Sequence, residues 1–136
     1  MGARSDDPSC YVDGKVKYDR LAMSAAFAGA IERLMRGRTD KRIVIMCAER
    51  EPLDCHRTLL VARHLADRGV EVLHILGDGA LEPHFASMMR LRERFNLAEA
   101  DLLHSEEELL HAALKLQEDR IAYVATAPAE FEGGTA

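Results

Sequence analysis

No tryptophan occurs in these 136 residues, and aromatic side chains make up only 5%. A protein that stacks bases on aromatic platforms has little to build with here. Positive charge is also short, with 18 Lys and Arg against 23 Asp and Glu, a net −5. That sign argues against a dedicated nucleic-acid binder, which usually carries a basic face. There are only three cysteines, an odd number, so no disulfide framework is expected. No Gly-rich phosphate fingerprint and no C-x-x-C pair is present. Apolar runs fall far short of a membrane span. The opening Met1-Gly2-Ala3-Arg4-Ser5-Asp6 is polar, unlike a signal peptide, and Asp6 stands where myristoylation expects Ser or Thr. A reducing cytoplasm is the expected setting, with cysteines free, metal-bound or reactive.

What is there suits one soluble domain: 48% apolar and 30% charged residues, in a chain long enough for one real core. Residues 1–23 read as an irregular arm, or as a hairpin turning at Asp13-Gly14. Ser24 is an N-cap candidate for a helix with Phe27, Ile31 and Leu34 on one stripe and Gly37 at its stop. Lys41 to Cys47 is short, β-branched and continuously apolar, as a strand covered on both faces would be. Asp54 then caps a helix from Cys55 to Arg68 that buries Leu59, Ala62 and Leu65, and Val70 to Leu76 forms a second strand. Strand, helix and strand in this order predict a right-handed βαβ unit with parallel strands. Leu81 to Phe95 reads as a helix with Leu81, Phe85, Met88 and Arg92 on one side. Ser105-Glu106-Glu107-Glu108 is a capping box opening a helix to about Glu118. Ile121 to Ala125 reads as a short strand. The predicted fold is α/β: a small three-layer domain with a parallel βαβ core and additional C-terminal helices. It spans residues 1–125, and 126–136 form a loose tail.

The stretch Cys47-Ala48-Glu49-Arg50-Glu51-Pro52-Leu53-Asp54-Cys55-His56-Arg57 carries the functional signal. Two thiols, an imidazole, guanidiniums and carboxylates share one strand-to-helix loop, where open α/β sheets bind ligands. Cys55 at a helix start gains the positive end of the dipole, which favours a thiolate; the alternative is a small packing residue. Arg57 in a first turn opposes that dipole, so either an anion binds there or Glu49, Glu51 or Asp54 pairs with it. His56 and Arg50 would add to an anion site. Glu49 fits a general acid or base, or an ion-pair partner of Arg57. Cys47 closes the strand as a ligand contact or as packing. His74, late in the second strand, is a proton carrier or a satisfied core histidine. Asp78, Glu82 and His84 are rim candidates at the same edge. Cys47, Cys55 and His56 are soft-metal ligand types, but their spacing is no usual zinc pattern. No metal and no other cofactor is expected.

Ile45-Met46-Cys47-Ala48-Glu49, Asp54-Cys55-His56-Arg57 and Val70-Glu71-Val72-Leu73-His74-Ile75 together resemble the family catalogued as domain of unknown function 488. The likeness extends upstream through Tyr18-Asp19-Arg20-Leu21 and covers roughly Gly2 to Phe95. The resemblance implies a small α/β fold and leaves activity unassigned. It carries over Cys47, Glu49, Cys55, His56, Arg57 and His74 as motif positions without roles. Family members usually open with a strand and helix, then an Asp-Val-Arg-like segment, for which this sequence has no counterpart. Met1 thus stands near the middle of the family pattern, and sheet edges left open are expected to pair with a second copy.

Three functions compete. The first is an enzyme acting on a small anionic substrate, such as a nucleotide or other phosphate-bearing metabolite. Cys55, Glu49 and His74 would do the chemistry, with Arg57, His56, Arg50 and Cys47 holding the ligand. The second is a binding module using the same pocket without reaction. The third is a nucleic-acid-associated protein reaching phosphates through Arg50, Arg57 and Arg63, which the acidic balance disfavours.

Overall fold

A computed structural model describes residues 3–126. The expected tail falls almost wholly on residues 127–136, outside the described ones. The chain is a mixture of helices and two small antiparallel sheets.

The N-terminal arm does form a hairpin. Strands β1 (Tyr11–Val12) and β2 (Lys15–Val16) pair antiparallel, Tyr11 with Val16 and Val12 with Lys15. Asp13 and Gly14 turn between them at φ 50° and 74°, the left-handed pair a tight two-residue hairpin requires. A short helix α1 (Tyr18–Ala22), which the periodicity does not foretell, leads into α2 (Ala25–Gly37). Ser24 caps α2 through its hydroxyl, which accepts from the Phe27 N–H. Helix α5 (Glu106–Ile121) opens on the expected capping box, with Ser105 and Glu108 bonded reciprocally.

The parallel βαβ core is not there. Lys41 to Cys47 stays outside any sheet, and its apolar side chains face outward, Val44 at 68% and Met46 at 83% exposure. Among the described residues no backbone hydrogen bond ties 42–46 to another strand. The second expected strand shortens to β3 (Leu73–Ile75) and pairs antiparallel with β4 (Leu81–Pro83) through the turn at Gly77-Asp78-Gly79. A two-residue-to-four-residue turn is the cheapest way to pair a strand, and it captures residues assigned to the next helix. Helix α4 therefore starts only at His84 and runs to Arg94. Its buried face is His84, Ser87, Met88, Leu91 and Arg92, whereas Leu81 and Phe85 are exposed. The predicted strand at Ile121 to Ala125 reduces to one bridge, Lys15 to Val124, because α5 runs on through Ile121.

The core lies between the hairpin, α1, the helical stretch over residues 57–67, α4 and α5. Val16, Leu21, Leu53, Leu59, Leu91 and Leu114 are all buried in it. Arg92, only 3% exposed, donates to the carbonyls of Leu97 (2.9 Å) and Ala98 (2.7 Å), so its buried charge ends the helix instead of standing unpaired. No helix among the described residues is long and apolar enough to cross a membrane.

Candidate functional site

Pro52 decides the local path of the loop. With no N–H of its own it sits at the start of a 3₁₀ turn, Pro52–Asp54, which Glu51 caps by accepting from the Leu53 N–H (3.0 Å). Asp54 is therefore not the helix cap that the sequence pattern foretells. The residue that plays this part is Cys55, with extended backbone at φ −125°. Its carbonyl accepts from Thr58 and Leu59, and its Sγ accepts from the Arg57 N–H at 3.4 Å. A π-helical stretch, Arg57–Ala62, follows and continues as α3 (Arg63–Asp67). Such wide turns are rare and are frequent at functional sites. Leu59, Ala62 and Leu65 form the buried face, as their spacing foretells.

Arg57 makes no ion pair with Glu51 or Asp54 among the described residues; its Nε donates to Cys55 Sγ (3.2 Å) and its Nη1 to the carbonyl of Ile45 (2.7 Å). The guanidinium thus pins the irregular 41–47 segment to the helix start. Cys47, at the end of that segment, brings its Sγ together with a Glu49 carboxylate oxygen and Cys55 Sγ, all within 4.8 Å of one another. Burial pushes the Cys47 thiol up to about 12, helped by its hydrogen bonds to Cys55 and Glu49. The hydrogen bond from Cys47 holds Glu49 below the usual carboxylate range. Cys47 therefore keeps its proton, and Glu49 is its charged acceptor. Cys55 lies behind them at 0% exposure.

Arg50 folds back and donates to the carbonyl of Gly77 (3.1 Å). A Cβ at Gly77 would push the flexible Arg50 guanidinium aside. His56 is half-buried, and burial lowers its pKa while Glu49 pulls it back up. His74 shares a hydrogen bond with His84 (2.9 Å, ring nitrogen to ring nitrogen) inside the β3–α4 contact. Glu82 is tied to Arg90 and Ser87, and Asp78 caps its own turn by accepting from the Ala80 N–H.

A cavity of about 500 Å³ runs between the extended segment and the stretch before and along β3. Cys47, Glu49, Arg50, Arg57 and His74 all line it, with Ile43, Ile45, Val72 and Leu73 as apolar wall. Cys55 and His56 stand outside the lining. Supporting residues went unread in the sequence. Arg90 bridges Glu51 and Glu82 at 2.9 Å each, and Gln117 donates from α5 to the Leu53 carbonyl (2.9 Å) and to Asp54 (3.0 Å). Arg94 holds Asp54 at 2.7 Å. Arg90 and Arg94 sit one turn apart on α4, a signal that could have flagged them as clamps on an acidic loop.

The buried histidine pair has a measurable consequence. Burial, then the neighbouring His74, lowers His84 to about 4 from an unfolded value of 6.5. Between those values the unfolded chain binds a proton that the folded chain refuses. Stability is therefore full above 6.5 and declines as pH falls toward 4, by on the order of 3 kcal/mol. Urea denaturation at a series of pH values should show this fall, and His84→Gln should flatten it.

No curated protein and no solved structure matches this chain. The family match ends at residue 64, short of Phe95 and of the His74 strand. The matching family model is the one described as Domain of unknown function DUF488, over residues 2–64, and the family resemblance of the chain is shown on that stretch.

Proposed function

We propose that the cavity beside Arg57 binds a small anionic metabolite bearing a phosphate, of nucleotide-like size, and that the thiol and carboxylate groups on its wall act on it. One observation carries this reading: two guanidiniums, a carboxylate, a thiol and an imidazole line the same cavity, whose volume suits a small ligand. Arg50 and Arg57 supply the anion contacts, for which planar guanidinium forks are suited. Glu49 is the acid or base, and Cys47 and Cys55 are the sulfur groups beside it. Neutral His74 completes the far wall. Arg63 lines a different cavity from Arg50 and Arg57. A second reading, binding without reaction, draws on the full burial of Cys55 behind Arg57.

Inorganic phosphate and a nucleoside monophosphate should each raise the melting temperature in a saturable way, since a ligand that binds only the folded chain stabilises it by mass action. Chloride at equal ionic strength should not. Equal effects of all three would remove the anion site.

A second copy of the chain is the partner we propose. The carbonyl of Ile45 is taken by Arg57, so the strand edge bearing the Val44 and Met46 backbone groups is left to pair. Antiparallel pairing of two copies centred on Ile45 sets Lys41 opposite Glu49 and Asp40 opposite Arg50, charges of opposite sign. The apolar Ile43-to-Cys47 stretch then covers itself. The chain should sediment as a dimer at micromolar concentration, and a monomeric mass there would refute this partner.

A further inference from the structure

We propose that Cys47 and Cys55 form a dithiol–disulfide couple that exchanges with small disulfides entering through the cavity. The inference goes beyond the anion site and does not rest on it. The two sulfurs lie within 4.8 Å of each other, with a Glu49 oxygen within the same distance of both. Their surroundings divide the work. Cys47 lines the cavity and is reached from it, whereas Cys55 is fully buried and can be reached only from within. Closing the bond needs an S–S distance of about 2.05 Å. Cys55 is fixed at the head of a helix, so Cys47 must move. It ends a segment that no ladder holds, tied through 41–46 by the Arg57 bond to Ile45 and the Lys41 N–H bond to Gly37.

A bound dication is a poorer reading of the same three atoms. Two N–H groups of Arg57 point at Cys55 Sγ, and that fixed positive charge opposes a metal at the sulfur. The cluster also offers three ligand atoms where zinc usually takes four.

The exchange balances without a further reactant. The Cys47 sulfur attacks one sulfur of a small disulfide, the disulfide bond breaks, and one thiolate leaves. The Cys47 proton ends on that thiolate, the stronger base, while the Glu49 carboxylate stays charged as the hydrogen-bond acceptor beside the sulfur. The Cys55 sulfur then attacks Cys47, the mixed disulfide breaks, and the second thiolate leaves with the Cys55 proton. The protein loses two electrons and two protons, and the small disulfide becomes two thiols. Cys10, the third thiol, is buried in the core and stands outside the cluster, so it serves as an internal control.

The test is incubation of the native chain with excess oxidised glutathione, followed by alkylation and tryptic mapping. Cleavage after Arg42, Arg50 and Arg57 separates the two cysteines onto different peptides. The expected product is one peptide pair joined through Cys47 and Cys55, with Cys10 alkylated and two equivalents of glutathione released. Cys55→Ser should stop the reaction at a glutathione adduct on Cys47. Cys47→Ser should leave Cys55 unmodified. The proposal is overturned by separate adducts on both cysteines, by thiols that stay reduced, or by a cross-link that forms only in urea.

Discussion

Arg57→Met should weaken phosphate binding by at least tenfold and loosen the Ile43-to-Cys47 segment at once. The side chain makes three bonds' worth of structure from one guanidinium: to Cys55 Sγ through Nε, to Ile45 through Nη1, and electrostatically to any anion in the cavity it lines. Hydrogen bonds to a charged group contribute about 1.5–3 kcal/mol each, and 1.4 kcal/mol is a factor of ten in affinity. Losing the contact to the anion therefore costs about one to two powers of ten. Arg57→Lys should rescue little of this, because a point charge on a flexible stem cannot reach sulfur, carbonyl and anion together. Titration calorimetry with inorganic phosphate reads the affinity. Hydrogen exchange of the 43–47 amides reads the tether, and should be faster in both variants. An unchanged affinity in Arg57→Met would mean that the guanidinium is a brace alone.

Leu53→Ala should be the most damaging single change near the site, lowering stability by about 2–5 kcal/mol. Leu53 is 0% exposed and packs in the main core from the tip of the 3₁₀ turn. The same residue's carbonyl takes the Gln117 side chain, which is 1% exposed. Truncation thus leaves a cavity under the loop and weakens the fit of the buried amide to it. Against a total of about 5–15 kcal/mol for a domain, the loss is a large fraction. Leu102→Ala is the matching control, since that side chain is fully exposed and its removal should change stability by less than about 0.5 kcal/mol. Urea midpoints measure both. Equal midpoints would mean that the turn does not anchor the core.

Local signals were the legible ones. Ser24 and the Ser105–Glu108 box act within one turn of their helices, and Asp13-Gly14 needs only its own backbone angles. The run Lys41 to Cys47 reads as a strand from its β-branched residues and is not one, because strand pairing is a non-local event that such a run does not specify. The same holds for Val70 to Leu76, where the close turn at Gly77-Asp78-Gly79 chose an antiparallel neighbour over a distant parallel one. At the loop, Pro52 directly after Glu51 is a stronger signal than Asp54, because a proline sets the 3₁₀ turn that Glu51 caps. Cys47, Glu49, Arg50 and Arg57 share the cavity wall because one short loop carries them, which sequence proximity makes legible. The bracing by Arg90, Arg94 and Gln117 crosses from other helices; the i, i+4 spacing of Arg90 and Arg94 marks a basic stripe but does not name the acidic loop it holds, and Gln117 carries no such spacing.

The measurement that bears most directly on the anion site is a phosphate titration followed by the Nε–Hε resonances of the arginine side chains. The signals of Arg50 and Arg57 should move together, saturate at one dissociation constant, and outpace those of exposed Arg33, Arg36 and Arg42. Small, parallel, unsaturated shifts across all the arginines would contradict it, and would reduce the cluster at the cavity wall to a structural brace around two thiols.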